Sequence, residues 1–492
     1  MSAILRREEI RLLELRHAGL PLMERAGQAA AGCAARMLEG RQGCVLVLAG
    51  PGNNGGDGFV LARALREQGH EVIVACPAEA AEMPPDAREA RAAWLAAGGQ
   101  VVSEFVGSNW ALIVDAIFGI GLKRPPEGRY ADWIARVSQM SVPVLALDIP
   151  SGLDADTGRV LGCAVRASHT ATFIAMKAGL LTLDGPDHCG ELSLHDLELP
   201  AEEAPGQLLG RASFAAMLRP RAINVHKGHF GLAGVIGGAA GMVGAALLTA
   251  RAALMCGAGR VYGGLLDPAA PAVDSTQPEI MLRAATDLHL LCSALAVGPG
   301  MGLSEIAAQQ LRRAVAFTGP LLLDADALTL LGQSPPLQSA LARREVAAIL
   351  TPHPAEAARL MQCAMSDVQN DRVGMALEMA RRYQSHVVLK GAGSVIALRD
   401  GRWLINTTGN AGLATAGSGD VLSGLILGLL AQGWEPSLAL AGGVHLHGAA
   451  ADWLRTQGIG PVGLTASELA PAARRLLNIW LAQDEGQGWA GK

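Results

Sequence analysis

The strongest constraint on this chain is a repeated alternation. Near-continuous runs of Val, Ile, Leu and Ala are each followed by a turn signal and then by a stretch with helical apolar spacing. CVLVLA (44–49), EVIVAC (71–76), ALIVDAIFG (111–119) and VPVLALDIPSG (142–152) make up a first series. Strands apolar on both faces, separated by amphipathic helices, call for a parallel sheet with helices on either side. Shorter strands are expected over 170–195. The pattern fails at 196–222, where LELPAEEAPGQLLG has the Pro, Glu and Gly content of a connection. A second series follows: GVIGG, GRVYGGLL, ALAVGPG, GPLLLDADAL, AAILTPHPAE and HVVLKGAGSVIAL. The expected architecture is therefore two three-layer α/β domains, 1–212 and 217–486, with the boundary near 210–220. The first is a Rossmann-like, doubly wound parallel sheet.

The composition supports this reading and removes others. Of 492 residues, 50% are hydrophobic and 17% charged, enough for two large cores. The net charge is −5, with no Lys/Arg block to follow a phosphate backbone, so nucleic acid is not an expected partner. The opening MSAILRREEIRLLELRH is too charged for a signal peptide. Residues 230–250 carry no charge over a span that could cross a bilayer. Glycines divide that span into a strand and turn, LAGVIGG, and a small-residue helix, MVGAALLTARAALMCG, so no membrane segment is expected. Eight cysteines (33, 44, 76, 163, 189, 256, 292, 363) lie mostly in apolar runs without a CxxC pair, as reduced thiols of a cytoplasmic protein would. The small-residue helices suit close subunit packing, and a homo-oligomer is expected.

AGPGNNGGDG (49–58) follows the first strand, and Gly50, Gly52 and Gly55 fit G-x-G-x-x-G. An ordinary dinucleotide fingerprint would end its second strand with an acid for the ribose. Here Cys76 and Pro77 stand there, and the turn adds Asn53, Asn54 and Asp57. Asp115 sits at another strand end, before the glycine-spaced loop Gly119–Pro125. Asp148, Ser151 and Asp154 follow the next strand. Ligands of open α/β sheets bind outside such carboxyl ends. An oxygen-rich cluster there, without Cys or His, suits a hard cation. Each of these residues taken singly also suits helix capping or turn formation.

MERAG (23–27), GPGNNGGDG (50–58), DAIFGIGL (115–122) and DIPSG (148–152) together resemble the NAD(P)H-hydrate epimerase family, over essentially residues 1–210. The resemblance implies interconversion of the R and S forms of NAD(P)HX, the hydrated cofactor, at its carbon 6. It implies ligand contacts from Asn53, Asn54, Gly55, Gly56 and Asp57, from Gly119, Ile120, Gly121, Leu122, Lys123, Arg124 and Pro125, and from Asp148. It also implies a potassium ion at Asn54, Asp115 and Ser151. Epimerisation through ring opening needs a group that takes and returns a proton. Asp148 and Lys123 are the candidates.

In the second series, Gly417, Ser418 and Gly419 precede Asp420 at the start of an apolar helix. Backbone N–H groups at such a start favour phosphate, and an aspartate there can act as a base on a hydroxyl at a phosphoryl group. It can equally be a cap. Lys390 and its glycine turn suit a nucleotide phosphate. His353 lies between two prolines, a poor place for a merely structural histidine. His445 and His447, two apart on a helix, cannot face one site and read as structural rather than as metal ligands.

HKGHFG (226–231), GMVGAA (241–246), GPGMG (298–302), TPHPAE (351–356), LKGAGS (389–394) and GNAGLATAGSGD (409–420) resemble the ADP/ATP-dependent NAD(P)H-hydrate dehydratase family, of ribokinase-like fold. The implied reaction phosphorylates the hydroxyl of S-NAD(P)HX and expels phosphate to restore the ring. By that resemblance Ala245, Gly300, His353 and Asp420 contact the hydrate, with Asp420 as base. Lys390, Gly391, Ala392, Gly393, Ser394 and Gly419 contact the adenine nucleotide. ADP is the implied co-substrate with ATP as the alternative, and magnesium accompanies it. Ser394 and Ser418 stand where threonine is common, with the hydroxyl retained. The competing reading is a ribokinase-type small-molecule kinase whose N-terminal half senses nucleotides.

Overall fold

The computed structural model describes residues 2–104, 107, 109–201 and 204–488. The chain forms two compact units, Ser2–Gly206 and Gln207–Lys492. The division falls slightly before the expected 212. Leu209 N already donates to Ile405 O (2.9 Å), and Leu209, Phe214 and Leu218 are buried in the second core.

The N-terminal sheet runs in the order Val101–Val102, Val72–Ala75, Cys44–Ala49, Trp110–Ala116, Val144–Leu147, His169–Phe173, Glu191–His195. All of its pairs are parallel. The expected strands are present because their alternate residues feed opposite cores. Val45 and Val47 pack with Ala30 and Phe59 on one face, while Leu46 and Leu48 pack with Trp133 and Ile134 on the other. Chain order reverses between Cys44–Ala49 and Trp110–Ala116, and the loops leaving those strands diverge there. A ligand crevice belongs at such a switch point.

NNGGDG is not a free loop before the helix. It forms the first turns of Asn53–Glu67. Close packing demands its glycines: a Cβ at Gly55 would lie 2.1 Å from Gly50 O, and one at Gly58 2.7 Å from the Ala116 methyl.

The C-terminal sheet runs Met281–Leu282, Arg260–Leu265, Leu232–Gly237, Ala294–Val297, Leu321–Leu323, Ile349–Leu350, His386–Leu389, Ser394–Ala397, Trp403–Asn406, Gly206–Leu208. It is parallel from Met281–Leu282 to His386–Leu389, then antiparallel through Ser394–Ala397 to Trp403–Asn406. Two nearly all-apolar helices, Val243–Met255 and Ser418–Ala431, pack against each other beneath it. Residues 230–250 are thus a strand, a turn and a helix of this core. Among the described residues no helix is long and apolar enough to cross a membrane. The small-residue faces are used inside the domain, so they lend no support to subunit packing. All eight cysteines are free thiols.

A Cβ at Gly424 would sit 2.3 Å from the Thr249 carbonyl, so the helix pair closes only around a glycine. Gly424→Ala should cost about 1–3 kcal/mol through overpacking, read as a lower midpoint in denaturant unfolding. An unchanged midpoint would show that the helices can part without penalty.

Candidate active sites

The N-terminal switch point opens into a cavity of about 950 Å³. That is at the upper end of the roughly 300–1,000 Å³ typical of small-molecule sites. Asn53, Asn54, Asp57, the loop Gly119 to Arg124, Asp148, Phe173 and Lys177 line it. The Arg7–Arg16 helix adds Ile10, Arg11, Glu14 and Leu15. Gly55 and Gly56 are not in the lining: they let the helix close on the Gly50 turn and on Met23 and Ala87 of the neighbouring helices. Pro125 also departs from the expected ligand set. It faces Gly162, whose Cβ position is 3.3 Å from the proline ring. Asp154 serves the fold: it pairs with Arg7 (2.8 Å) and accepts from Asp156 N and Thr157 N.

Asp115 is fully buried beneath the cavity. Its Oδ1 accepts from Ser151 Oγ (2.6 Å) and its Oδ2 from Ser151 N (2.7 Å), while Ser151 Oγ accepts from Phe118 N (2.8 Å). Burial raises the Asp115 carboxyl to about 6, against the Ser151 and Ile117 donors that lower it. Asn54, 8% exposed, faces Gly119, and neither polar atom of its amide has a partner among the described residues. A buried orphan of this kind calls for an unseen partner.

Asp148 holds a left-handed backbone, φ 65°, rare outside glycine, at the cavity wall. The ammonium against its carboxylate belongs to Lys177, which Thr172 Oγ1 (2.9 Å) and Phe173 O (2.7 Å) hold in place. Lys177 is 1% exposed. Lys123, the other proton-transfer candidate, is exposed on the cavity rim. Nothing in AMKAG marked Lys177: it meets Asp148 because the short strand Met176–Lys177 turns back past the end of His169–Phe173. Burial first, then the Asp148 charge, raises the carboxyls of Glu14 and Asp57 above their ordinary range.

In the C-terminal domain the expected residues converge on one sheet edge. Gly417 takes φ 85° and starts the Ser418–Ala431 helix, which places Asp420 in its first turn. Thr249 Oγ1 donates to Asp420 O (3.0 Å), fixing that turn on the helix that bears Ala245. Gly300 approaches Ala245 so closely that an added Cβ would lie 3.1 Å from it. Lys390 follows the His386–Leu389 strand. Its ammonium reaches Asp324 Oδ1 (3.1 Å) and Glu356 Oε2 (3.9 Å), and lies 3.3 Å from the Cβ position of Gly419. Burial, then the Asp324 charge, raises Asp420 to about 7, with Lys390 acting in the opposite direction. A base is most useful with its pKa near the working pH.

His353 does have a structural task. Its Nδ1 accepts from Ala355 N (3.1 Å) and Glu356 N (3.4 Å), capping the Pro354–Met361 helix. Its Nε2 faces Glu356 Oε1 at 3.3 Å. Gly391 to Ser394 form the turn between two antiparallel strands, with Ser394 Oγ donating to Gly391 O (3.1 Å). His447 is buried against Ser418 Oγ (3.3 Å), and His445 stacks near Phe214 and Trp480. Among the described residues no three His, Cys, Asp or Glu are arranged to hold a metal.

The two folds and their strand-end sites define an α/β enzyme with two nucleotide-type sites, the second in a ribokinase-like domain. Comparisons agree for both halves. Residues 233–473 match the family described as NAD(P)H-hydrate dehydratase, and residues 19–179 the family described as YjeF-related protein N-terminus. The bifunctional NAD(P)H-hydrate repair enzyme of Escherichia coli is 38% identical, over 93% of this chain and 89% of its own length. That of Coxiella burnetii is 39% identical, over 93% and 94%. The ADP/ATP-dependent NAD(P)H-hydrate dehydratase of Bacillus subtilis, co-crystallised with ATP/Mg2+, superposes with a TM-score of 0.51 at 33% identity, covering 56% of this chain and 98% of that one. The chain belongs to the family of bifunctional NAD(P)H-hydrate repair enzymes.

Burial pushes His447 down to about 4 from an ordinary 6.5. A histidine with a depressed folded pKa stabilises above its unfolded value and loses that contribution as pH falls through the folded one. Thermal melts should therefore drop as pH falls from 6.5 towards 4, and His447→Asn should flatten that drop. An equally steep drop in the variant would assign the acid sensitivity elsewhere.

Proposed function

We propose that the N-terminal cavity epimerises R- and S-NAD(P)HX and that the C-terminal site dehydrates the S form with ADP, giving NAD(P)H, AMP and phosphate. The observation that carries the first half is the Asp148–Lys177 pair facing the cavity at the switch point of the sheet. Asp148 takes the proton of the carbon 6 hydroxyl, the bond from carbon 6 to the ring nitrogen breaks to leave a carbonyl at carbon 6, and Asp148 passes the proton to the nitrogen. Reclosure on the opposite face returns the proton. Lys177 holds the Asp148 carboxyl group in place between the two steps. Arg11, Lys123 and Arg124 on the cavity wall suit the phosphates of the substrate.

The buried orphan amide of Asn54 faces Gly119, beside Phe118, whose N–H donates to Ser151 Oγ, and it fits a potassium ion. Asn54, Asp115 and Ser151 would hold it with their oxygens. Its chemistry there is electrostatic: it balances the Asp115 carboxylate and fixes the two loops that frame the cavity.

In the second site Asp420 accepts the proton of the substrate hydroxyl as that hydroxyl takes the terminal phosphoryl group of the nucleotide. Lys390 offsets the phosphate charge, and the N–H groups at the start of Ser418–Ala431 face the transferred group. The phosphate then leaves carbon 6 with the electron pair of the C–O bond, carbon 5 releases a proton to water, and the ring double bond between the two carbons returns. Magnesium would come with the nucleotide, held chiefly by its phosphates and water; among the described residues no three His, Cys, Asp or Glu form a metal cage. The free thiols suit a cytoplasmic enzyme. Exposed Leu290, Leu303 and Ile306 offer apolar surface for a homo-oligomer.

Two substitutions separate the halves. Asp148→Asn should lower epimer exchange by about 100- to 10,000-fold while S-NADHX is still converted. Asp420→Asn should do the reverse. Epimer exchange is read by chromatography of the two hydrates, and dehydration by NADH formed. An Asp148→Asn enzyme that exchanges epimers at the normal rate would refute the first assignment, and a fully active Asp420→Asn enzyme the second. Potassium is tested by replacing it with sodium: epimer exchange should slow in the native enzyme and be insensitive to the ion in Asn54→Ala.

A further inference from the structure

We propose that Asp324 is a positioning residue of the dehydratase site, holding the Lys390 ammonium and the Asp420 helix in one frame. The inference rests on Asp420 being the base. Asp324 ends the Leu321–Leu323 strand, in the stretch GPLLLDADAL, and is 1% exposed. Its Oδ2 accepts from Ser423 Oγ (2.7 Å), one turn below Asp420 on the same helix, and Ser423 is fully buried. Its Oδ1 faces Lys390 Nζ (3.1 Å) and accepts from Ala325 N (2.9 Å). One carboxylate therefore ties three elements together: the central strand, the helix that carries the base, and the turn that carries the phosphate-facing lysine.

The backbone is shaped for this role. Ala325 adopts φ 49° and ψ −118°, an unfavourable conformation for a residue with a Cβ. It lets consecutive acids diverge. Asp324 turns inward to Lys390 and Ser423, while Asp326 Oδ2 accepts from Gly302 N (2.8 Å) in the GPGMG turn. A buried carboxylate with two side-chain partners and no outlet to solvent is expensive to keep unless its charge is used.

The charges around Asp420 are Asp324, Glu356 and Asp326, which raise it, and Lys390, which lowers it. Burial lowers Lys390 itself, but Asp324 and Glu356 outweigh it and the ammonium is held charged. Neutralising Asp324 removes the largest charge that raises Asp420 and also frees Lys390. Both changes move Asp420 the same way, towards lower pKa.

Asp324→Asn keeps shape and acceptor but removes the charge. The acid limb of the kcat profile for S-NADHX should move about one pH unit lower, and KM for ADP should rise about tenfold. Ser423→Ala guards against an unfolded Asp324 variant. It leaves the charge in place and loosens one anchor, so KM for ADP should rise about threefold with the acid limb unmoved. A folded Asp324→Asn enzyme with the native acid limb, or a Ser423→Ala enzyme with the native KM, overturns the proposal. Asp420→Asn run alongside keeps the two claims apart: activity retained there sinks the assignment of the base, whereas activity lost there with an unmoved Asp324→Asn profile sinks only the role of Asp324.

Discussion

In each domain a fully buried aspartate at the end of a central parallel strand accepts a hydrogen bond from a serine hydroxyl on another element. Asp115 and Ser151 do this at 2.6 Å, Asp324 and Ser423 at 2.7 Å. A buried carboxylate is costly unless its acceptors are filled, so each pair fixes where the neighbouring element must lie. Ser151 carries the DIPSG turn, and with it Asp148, to the cavity wall. Ser423 carries the first turn of Ser418–Ala431, and with it Asp420, to the phosphate-facing edge. Both carboxylates proposed to react are placed by a carboxylate that has no part in the proposed chemistry.

The glycines complete the same arrangement from the backbone side. A side chain at Gly50 would strike Ile117 O at 1.8 Å, and one at Gly298 would strike Asp324 O, also at 1.8 Å. In both domains a strand-end turn must press on the neighbouring strand end for the crevice to form. That requirement explains the clustering of glycine beside apolar runs better than mobility does.

Much of this was legible in the sequence because it depends on local pattern. Apolar runs gave the strands, small residues the Val243–Met255 helix, and the motifs Asp148, Asp420, Lys390 and the Gly119–Arg124 loop. What was hidden depends on tertiary approach. Lys177 lies 29 residues from Asp148 in an unremarkable stretch, and Ser423 lies 99 residues from Asp324 inside an apolar helix. Lys123, a candidate because it stands in a glycine loop, has an exposed side chain, while Lys177 is locked among three acceptors. Pro125 belonged to a plausible loop but turns to Gly162. His353, read from its two prolines as a ligand residue, also caps the Pro354–Met361 helix, a task its sequence context did not show. Periodicity and motif spacing locate strand ends well, but they do not say which buried side chains meet behind them.

The two halves act on one metabolite in sequence, since one interconverts the hydrates and the other consumes the S form. The most direct test supplies the native enzyme with mixed R- and S-NADHX, magnesium, potassium and ADP, and follows the near-ultraviolet absorbance of the reduced nicotinamide ring to completion. Conversion of the whole hydrate pool to NADH is the expected result. Conversion that stops when the S form is exhausted, with R-NADHX left unchanged, would contradict the account.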